Sequence, residues 1–431
     1  MKNQPPVLIV GSGPAGLGAS FGVFEMGKEA LLLEKLSRSS LRLLASGNGR
    51  CNYSNILSPE AFMERFGRNG SFMRQALLLT PGKFFTDLLR KEKVETILEE
   101  EFYCFPASGG AKAVQEALRR AGGMAEIRNQ WELLRILTEE KEGKRKVAGA
   151  VFRNEEGEEE LLYTERLILA SGGAARPLLG GGSAILEHLQ ELGHKITPIL
   201  PALSPIFIEE TFIKELTGIS LQNAGLSLLP LPSGKKKKND PKFSALGNLL
   251  FTHEGLSGFS ALELSGEAAY QCKESPSGKT TLFLHLFPGK KEADFRKMLE
   301  TARREEGAKE CVSILSSWGL PRALGEKITA LAQILPHTKI CRLTGKEMLT
   351  LCQLLEKLPL TVTGVGNMEK AMVMRGGVSL KEVRGDTMES RLIEGLYFAG
   401  EILDLDGPCG GYQIQWAFSS GRLAGRSAAS L

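Results

Sequence analysis

From Val7 to about Leu189 the chain alternates short apolar runs with stretches of helical periodicity. Val7–Val10, Ala30–Leu33 and Leu167–Ala170 have the length and character of short apolar strands. Pro14–Met26 and Ala111–Ala121 carry helical patterns between them. Strands alternating with helices predict a doubly wound α/β layer. Val147–Phe152 and Glu160–Tyr163 flank the turn-forming segment Arg153–Gly157, which predicts an exposed antiparallel excursion returning to the sheet.

The pattern then changes. Residues from about 195 to 265 combine prolines, glycines and short apolar runs with few helical signals, which predicts a β-rich unit. Residues 266–357 are mostly charged and helical, as in Lys291–Gly307 and Pro321–Leu335. After about Thr361 glycine-bounded strands return, and the chain finishes with Gly395–Glu401 and a helix from about Gly411. The economical organisation is a discontinuous nucleotide domain from residues 1–192 and 358–431. A β-rich insertion (193–265, with nearby return strands) and a helical subdomain (266–357) lie between its halves.

The first strand runs into Gly11-Ser12-Gly13-Pro14-Ala15-Gly16, and Glu34-Lys35 closes the second apolar run. That spacing is a dinucleotide fingerprint with a physical task for each part. Gly11 permits the tight turn, Gly13 lets backbone approach a pyrophosphate, and Gly16 allows close helix–sheet packing. The helix N-terminus offers unpaired N–H groups to the phosphates, and Glu34 can accept hydrogen bonds from an adenosine ribose.

Bulk composition narrows the partners. At 431 residues, 42% hydrophobic and 24% charged, the chain is ordinary for a multi-domain globular protein. A net charge of +4 gives no expectation of nucleic-acid binding. The one dense basic run, Lys235–Lys238, reads as a solvated loop. Seven cysteines without a Cys-x-x-Cys pair read as reduced thiols, and five histidines show no metal spacing. No secretory leader or membrane span is legible, so the expectation is a cytoplasmic protein without metal or membrane. Its oligomeric state is not legible.

The C-terminal segment distinguishes the two common dinucleotides. Gly400-Glu401 after the apolar run Leu396–Ala399 places an acid near the middle of an extended dinucleotide, where it can serve a ribityl hydroxyl or the pyrophosphate region. Gly410-Gly411-Tyr412-Gln413-Ile414 then opens a helix whose N-terminus suits the negative charge of a reduced flavin. Ser171-Gly172-Gly173 follows another strand. Ser46-Gly47-Asn48-Gly49-Arg50-Cys51-Asn52 forms a second glycine-rich loop, in which Arg50 can balance phosphate charge or make an ordinary ion pair. FAD is the expected cofactor.

Ser46–Asn52, Phe105-Pro106, Phe251–Gly258, Arg375–Val378 and Gly410–Gly425 resemble bacterial NAD(P)/FAD-dependent oxidoreductases. That group includes aminoacetone-oxidase-like flavoproteins and a reductase of the bile-acid dehydroxylation pathway. The resemblance spans nearly the whole chain. It implies a glutathione-reductase-type, Rossmann-like FAD domain built from both chain ends, an inserted β-barrel, a helical subdomain and one FAD per chain. The chain departs from the group's pattern at several places. Asn48 replaces a glycine, Ser40-Leu41-Arg42 replaces Gly-Arg-Lys and leaves Arg42 as its cation, and Ser171 and Met374 replace threonines. Cys409 and Gln413 replace Thr and Asn in Thr-Gly-Gly-Tyr-Asn.

Three activities fit this reading. The first is a reductase that passes hydride from NAD(P)H via FAD to an unsaturated or carbonyl-conjugated small molecule. NAD(P)H would visit transiently, because no second fingerprint follows a strand. The second is an oxidase producing hydrogen peroxide, and the third is a flavoprotein that binds RNA or protein. No catalytic acid or base stands out. Cys51 beside Arg50 is either an activated thiol or a buried structural one. His253, Glu254, Arg375, Tyr412 and Trp131 each have a packing role as an alternative to a ligand role.

Overall fold

The computed structural model describes residues 7–229 and 243–430. Lys235–Lys238 lie outside the described residues. The chain divides into two compact units, Met1–Leu200 with Met372–Leu431, and Pro201–Ala371.

The first unit is built on a five-stranded parallel sheet in the order Leu396–Phe398, Leu167–Leu169, Val7–Val10, Ala30–Glu34, Glu126–Asn129. Its three central strands are almost wholly buried, which explains why they read as continuous apolar runs. Because the strands are parallel, the segments after Val10, Glu34, Leu169 and Phe398 all leave from one edge of the sheet. The excursion predicted around Arg153–Gly157 is a three-stranded antiparallel sheet, Glu132–Lys141, Lys144–Arg153 and Glu159–Tyr163.

The fingerprint helix Pro14–Glu25 packs against the C-terminal helix Tyr412–Ala429 at backbone distance. A Cβ on Gly18 would lie 2.4 Å from the Phe418 carbonyl oxygen, and one on Gly421 would lie 2.0 Å from that of Ala15. Small residues on both helices therefore set the crossing. Arg422 closes it, with two 2.8 Å bonds to the Glu25 carboxylate and a third to the Leu79 carbonyl. Its guanidinium lies 3.8 Å from the Phe84 ring centroid. The two ends of the chain are thus joined in one core.

The second unit is a closed antiparallel barrel in the order Ile206–Ile208, Gly255–Ser257, Phe243–Phe251, Ser220–Leu228, Thr280–His285, Leu358–Val365. Helix Phe259–Glu274 shares its core through Ala261, Leu264 and Ala268. Four helices, Glu292–Glu305, Cys311–Ser317, Arg322–Leu331 and Gly345–Glu356, extend that core. Two segments differ from the sequence expectation. Thr280–His285, inside the stretch read as helical, is a barrel strand with Leu282 and Leu284 turned inward. Its alternation was masked by charged neighbours on both sides. Leu358–Val365, read as the start of the returning nucleotide domain, pairs with Thr280–His285 and Ile206–Ile208 in the barrel.

Candidate functional site

Gly11 has φ +98°, and a Cβ there would lie 2.5 Å from the Ala170 carbonyl oxygen on the neighbouring strand. A Cβ on Gly16 would lie 1.9 Å from the Gly11 carbonyl oxygen. Both positions exclude any other residue by backbone contact. Gly13 is different: its φ of −73° is open to any residue, and nothing lies within 4 Å of its Cβ position. The space in front of Gly13 is therefore free where the turn meets the helix, whose first residue Pro14 has no N–H to lose there.

Glu34 is buried, and its carboxylate organises the same turn. Oε2 accepts from the Ser12 backbone N–H at 3.0 Å and from Ser12 Oγ at 2.7 Å, and Oε1 accepts from Leu36 N at 3.1 Å. With about four lone-pair directions on a carboxylate, acceptor capacity is left for a hydroxyl. Lys35 stays exposed, its Nζ 3.5 Å from the Gly181 carbonyl oxygen. Trp131 donates its backbone N–H to the Glu34 carbonyl at 2.9 Å, which ties the third strand–loop junction to this end.

Arg42 and Glu401 bring two further segments together. Arg42 Nη1 pairs with Glu401 Oε2 at 2.5 Å, and Arg42 Nη2 donates to the Met372 carbonyl at 3.1 Å. Glu401 Oε1 accepts from Met374 N at 2.6 Å. The turn Ser171–Gly173 lies against this pair: a Cβ on Gly172 would meet Arg42 Nη1 at 3.2 Å, and one on Gly173 would meet Glu401 Cδ at 2.9 Å. Met374 also accepts the Ala174 N–H on its sulfur at 3.3 Å, so replacement of a threonine keeps an acceptor at this position.

The loop Ser46–Asn52 holds four residues in the left-handed region: Gly47, Asn48, Gly49 and Cys51, with φ of +55°, +54°, +86° and +65°. Asn48 thus keeps the conformation that a glycine would take. Cys51 is fully buried, and burial pushes its thiol up to about 11 despite a hydrogen bond with Ser46. It is a neutral, structural thiol near pH 7. Arg50 turns outward, pairs with Glu99 and lies 4.7 Å from the Phe105 ring centroid. Of the two roles open to it, the structure displays the surface ion pair.

At the far end, Gly410 and Gly411 have φ of +114° and +81°, and a Cβ on Gly411 would lie 2.4 Å from the Ser54 carbonyl oxygen. Gly411 opens the C-terminal helix without a side-chain cap, which leaves its first N–H groups for a ligand. Tyr412 is buried with its ring centroid 4.9 Å from that of Phe62, and Gln413 donates to the Gly407 carbonyl at 3.0 Å. Ile414 is half-buried in the first turn. A buried network behind this terminus had no sequence signal: Gln415 accepts from Ser54 Oγ at 2.8 Å and donates to the Thr80 carbonyl at 2.8 Å. His253 is exposed, and Glu254 makes a surface pair with Lys370 at 2.7 Å in the second unit.

Two buried polar atoms in this set lack partners, Asn52 Oδ1 and Ser171 Oγ. A buried, unpaired oxygen costs free energy unless a ligand satisfies it. Together with the open face of Gly13 and two uncapped helix N-termini, these orphans fit a long polar cofactor carrying phosphates and hydroxyls. Among the described residues, no helix is long and apolar enough to cross a membrane.

Comparison with known proteins agrees with this geometry. The family model described as HI0933-like protein Rossmann domain matches residues 5–427. A ribosomal RNA dihydrouridine synthase of Escherichia coli (strain K12) is 28% identical over 417 residues, covering 96% of this chain and 95% of the relative. A 3-dehydro-bile acid delta(4,6)-reductase of Clostridium scindens is 27% identical over 427 residues, covering 98% of each. Among solved structures, a 3-ketosteroid delta1-dehydrogenase from Sterolibacterium denitrificans in complex with 1,4-androstadiene-3,17-dione superposes with a TM-score of 0.53. It is 13% identical and covers 100% of both chains, a likeness of fold.

Proposed function

The chain belongs to the HI0933-like Rossmann-domain family and is an FAD-dependent oxidoreductase, and we propose that it is a reductase that uses NAD(P)H to saturate a carbonyl-conjugated carbon–carbon double bond in a small molecule. When bound, FAD supplies reversible hydride chemistry between donor and acceptor. The chain's own residues bind and orient it. The Gly11–Gly16 turn and the N-terminus of Pro14–Glu25 would hold the pyrophosphate, and Glu34 would accept from the adenosine ribose. Asn52 Oδ1 and Ser171 Oγ would take hydrogen bonds from its donor groups, since both are buried acceptors without partners. The N-terminus of Tyr412–Ala429 would stabilise negative charge on the reduced ring system. Arg42 and Glu401, paired with each other, would join the segments that line the middle of the cofactor.

The observation that carries the reductase reading is the full-length relative named as a delta(4,6)-reductase. The dihydrouridine named in the other relative is also the product of saturating a double bond conjugated to a carbonyl, so both names describe one bond change. That second name favours uridine in RNA as the alternative acceptor. The test is acceptor-dependent oxidation of NADH or NADPH under nitrogen, with a 4-ene-3-ketosteroid in one arm and protein-free ribosomal RNA in the other. The proposal expects nicotinamide oxidation and a steroid product with two added hydrogens. Dihydrouridine formation with no steroid reduction would move the substrate to RNA. In a parallel arm in air, peroxide production from amines or hydroxy acids, with no nicotinamide oxidation in the anaerobic arms, would replace the reductase with an oxidase.

A further inference from the structure

On the outer face of the barrel, Ser227 and His285 belong to adjacent antiparallel strands, Ser220–Leu228 and Thr280–His285. Inward-facing Leu226, Leu228, Leu282 and Leu284 fill the core, so the alternation of the strands turns Ser227 and His285 outward. Both are half-buried rather than sealed. Ser227 Oγ lies 2.8 Å from His285 Nε2. His285 Nδ1 lies 3.0 Å from the carbonyl oxygen of Glu356, at the end of helix Gly345–Glu356.

That carbonyl can only accept, so Nδ1 carries the proton and Nε2 presents its lone pair to the serine. A hydroxyl bonded to a base that is itself oriented by a third group is the arrangement of an activated nucleophile. Gly225 stands directly opposite His285, and a Cβ there would lie 3.1 Å from the His285 Cβ. The missing side chain leaves room for the imidazole. Burial favours the neutral imidazole and outweighs the opposing hydrogen bond to the Glu356 carbonyl, while Lys357 and Lys291 add smaller contributions in the same direction as burial. Lys357 Nζ sits 3.9 Å from the ring centroid of Phe283, the residue paired with Ser227 across the strands.

We propose that Ser227 and His285 form a second, flavin-independent site that cleaves carboxylic esters. Ser227 Oγ bonds to the ester carbonyl carbon as its proton passes to His285 Nε2. The bond from that carbon to the alcohol oxygen breaks, and the alcohol leaves with the proton. Water then repeats the sequence on the acyl-serine and releases the acid. No electrons are exchanged.

The test uses the full-length protein as purified, exposed to a biotinylated fluorophosphonate, with labelled peptides mapped by mass spectrometry. The expected result is covalent modification of Ser227, lost in Ser227→Ala and slowed about 100-fold in His285→Gln, the scale of a lost general base. Hydrolysis of p-nitrophenyl acetate is expected to fall in parallel. An unmodified Ser227 in the wild-type protein would overturn the proposal without recourse to any variant. Modification in His285→Gln at the wild-type rate would also overturn it, because the hydrogen bond would then be structural alone.

Discussion

Gly13 and Gly16 are three residues apart in one turn, yet replacing each by alanine has a different expected outcome. At Gly13 the backbone (φ −73°, ψ −173°) is one that alanine adopts freely, and the new methyl meets nothing within 4 Å. The cofactor-free protein therefore keeps its stability or gains about 0.4–1 kcal/mol from the less flexible unfolded chain. The methyl instead projects into the space assigned to the pyrophosphate. Overpacking of that kind costs about 1–3 kcal/mol, which weakens FAD binding roughly 5- to 150-fold. At Gly16 the methyl would lie 1.9 Å from the Gly11 carbonyl oxygen, so the turn itself must move. Gly16→Ala is expected to lower both thermal stability and FAD affinity. Flavin fluorescence titration of the stripped proteins, beside their thermal unfolding, separates the two cases. A Gly13→Ala protein that binds FAD within twofold of wild type would refute the placement of the pyrophosphate at this turn. An unchanged melting temperature in Gly16→Ala would refute the packing argument.

Glu34→Gln puts an amide nitrogen against either Ser12 or Leu36, both of which donate, and is expected to weaken FAD about tenfold, from the roughly 1.5 kcal/mol of a charged hydrogen bond. The same titration reads it. Arg422→Leu removes both short bonds to Glu25 and leaves Arg426 at 3.6 Å from it, and urea unfolding is expected to show a loss of about 3 kcal/mol. His194 is buried with Nε2 2.9 Å from Ser390 Oγ and no partner on Nδ1, and burial lowers its pKa from the ordinary 6.5. The unfolded chain therefore binds this proton at higher pH than the folded one. The stability linked to His194 is present above 6.5 and is lost as pH falls below it. Thermal unfolding at about pH 7.5 and about pH 5.5 is expected to show a smaller acid-induced loss in His194→Gln than in wild type.

Four strands of the parallel sheet were legible because they are short, apolar and followed by small or glycine-containing turns, whereas the polar edge strand Glu126–Asn129 carried no such signal. The fingerprint was legible because Gly11 and Gly16 have no sterically possible substitute. What the sequence hid depends on contacts between distant segments. Arg42 with Glu401, Arg422 with Glu25 and Gln415 with Thr80 are each more than three hundred residues apart. No local spacing announces such pairs. Arg50 shows the reverse: its neighbours left a phosphate ligand and an ordinary ion pair both open, and the pairing with Glu99 beside Phe105 lay beyond any local signal. The barrel strand Thr280–His285 was hidden for a local reason, since charged segments around it outweighed its own alternation.

As the reductase proposed above, the protein would use FAD held by both ends of the chain to carry reducing equivalents from NAD(P)H to a conjugated double bond. The most direct measurement is the visible flavin absorbance of the anaerobic protein through one cycle. NADH or NADPH is expected to bleach it, and stoichiometric 4-ene-3-ketosteroid is expected to restore it. A flavin that neither nicotinamide bleaches, or a purified protein that takes up no FAD, would contradict the account.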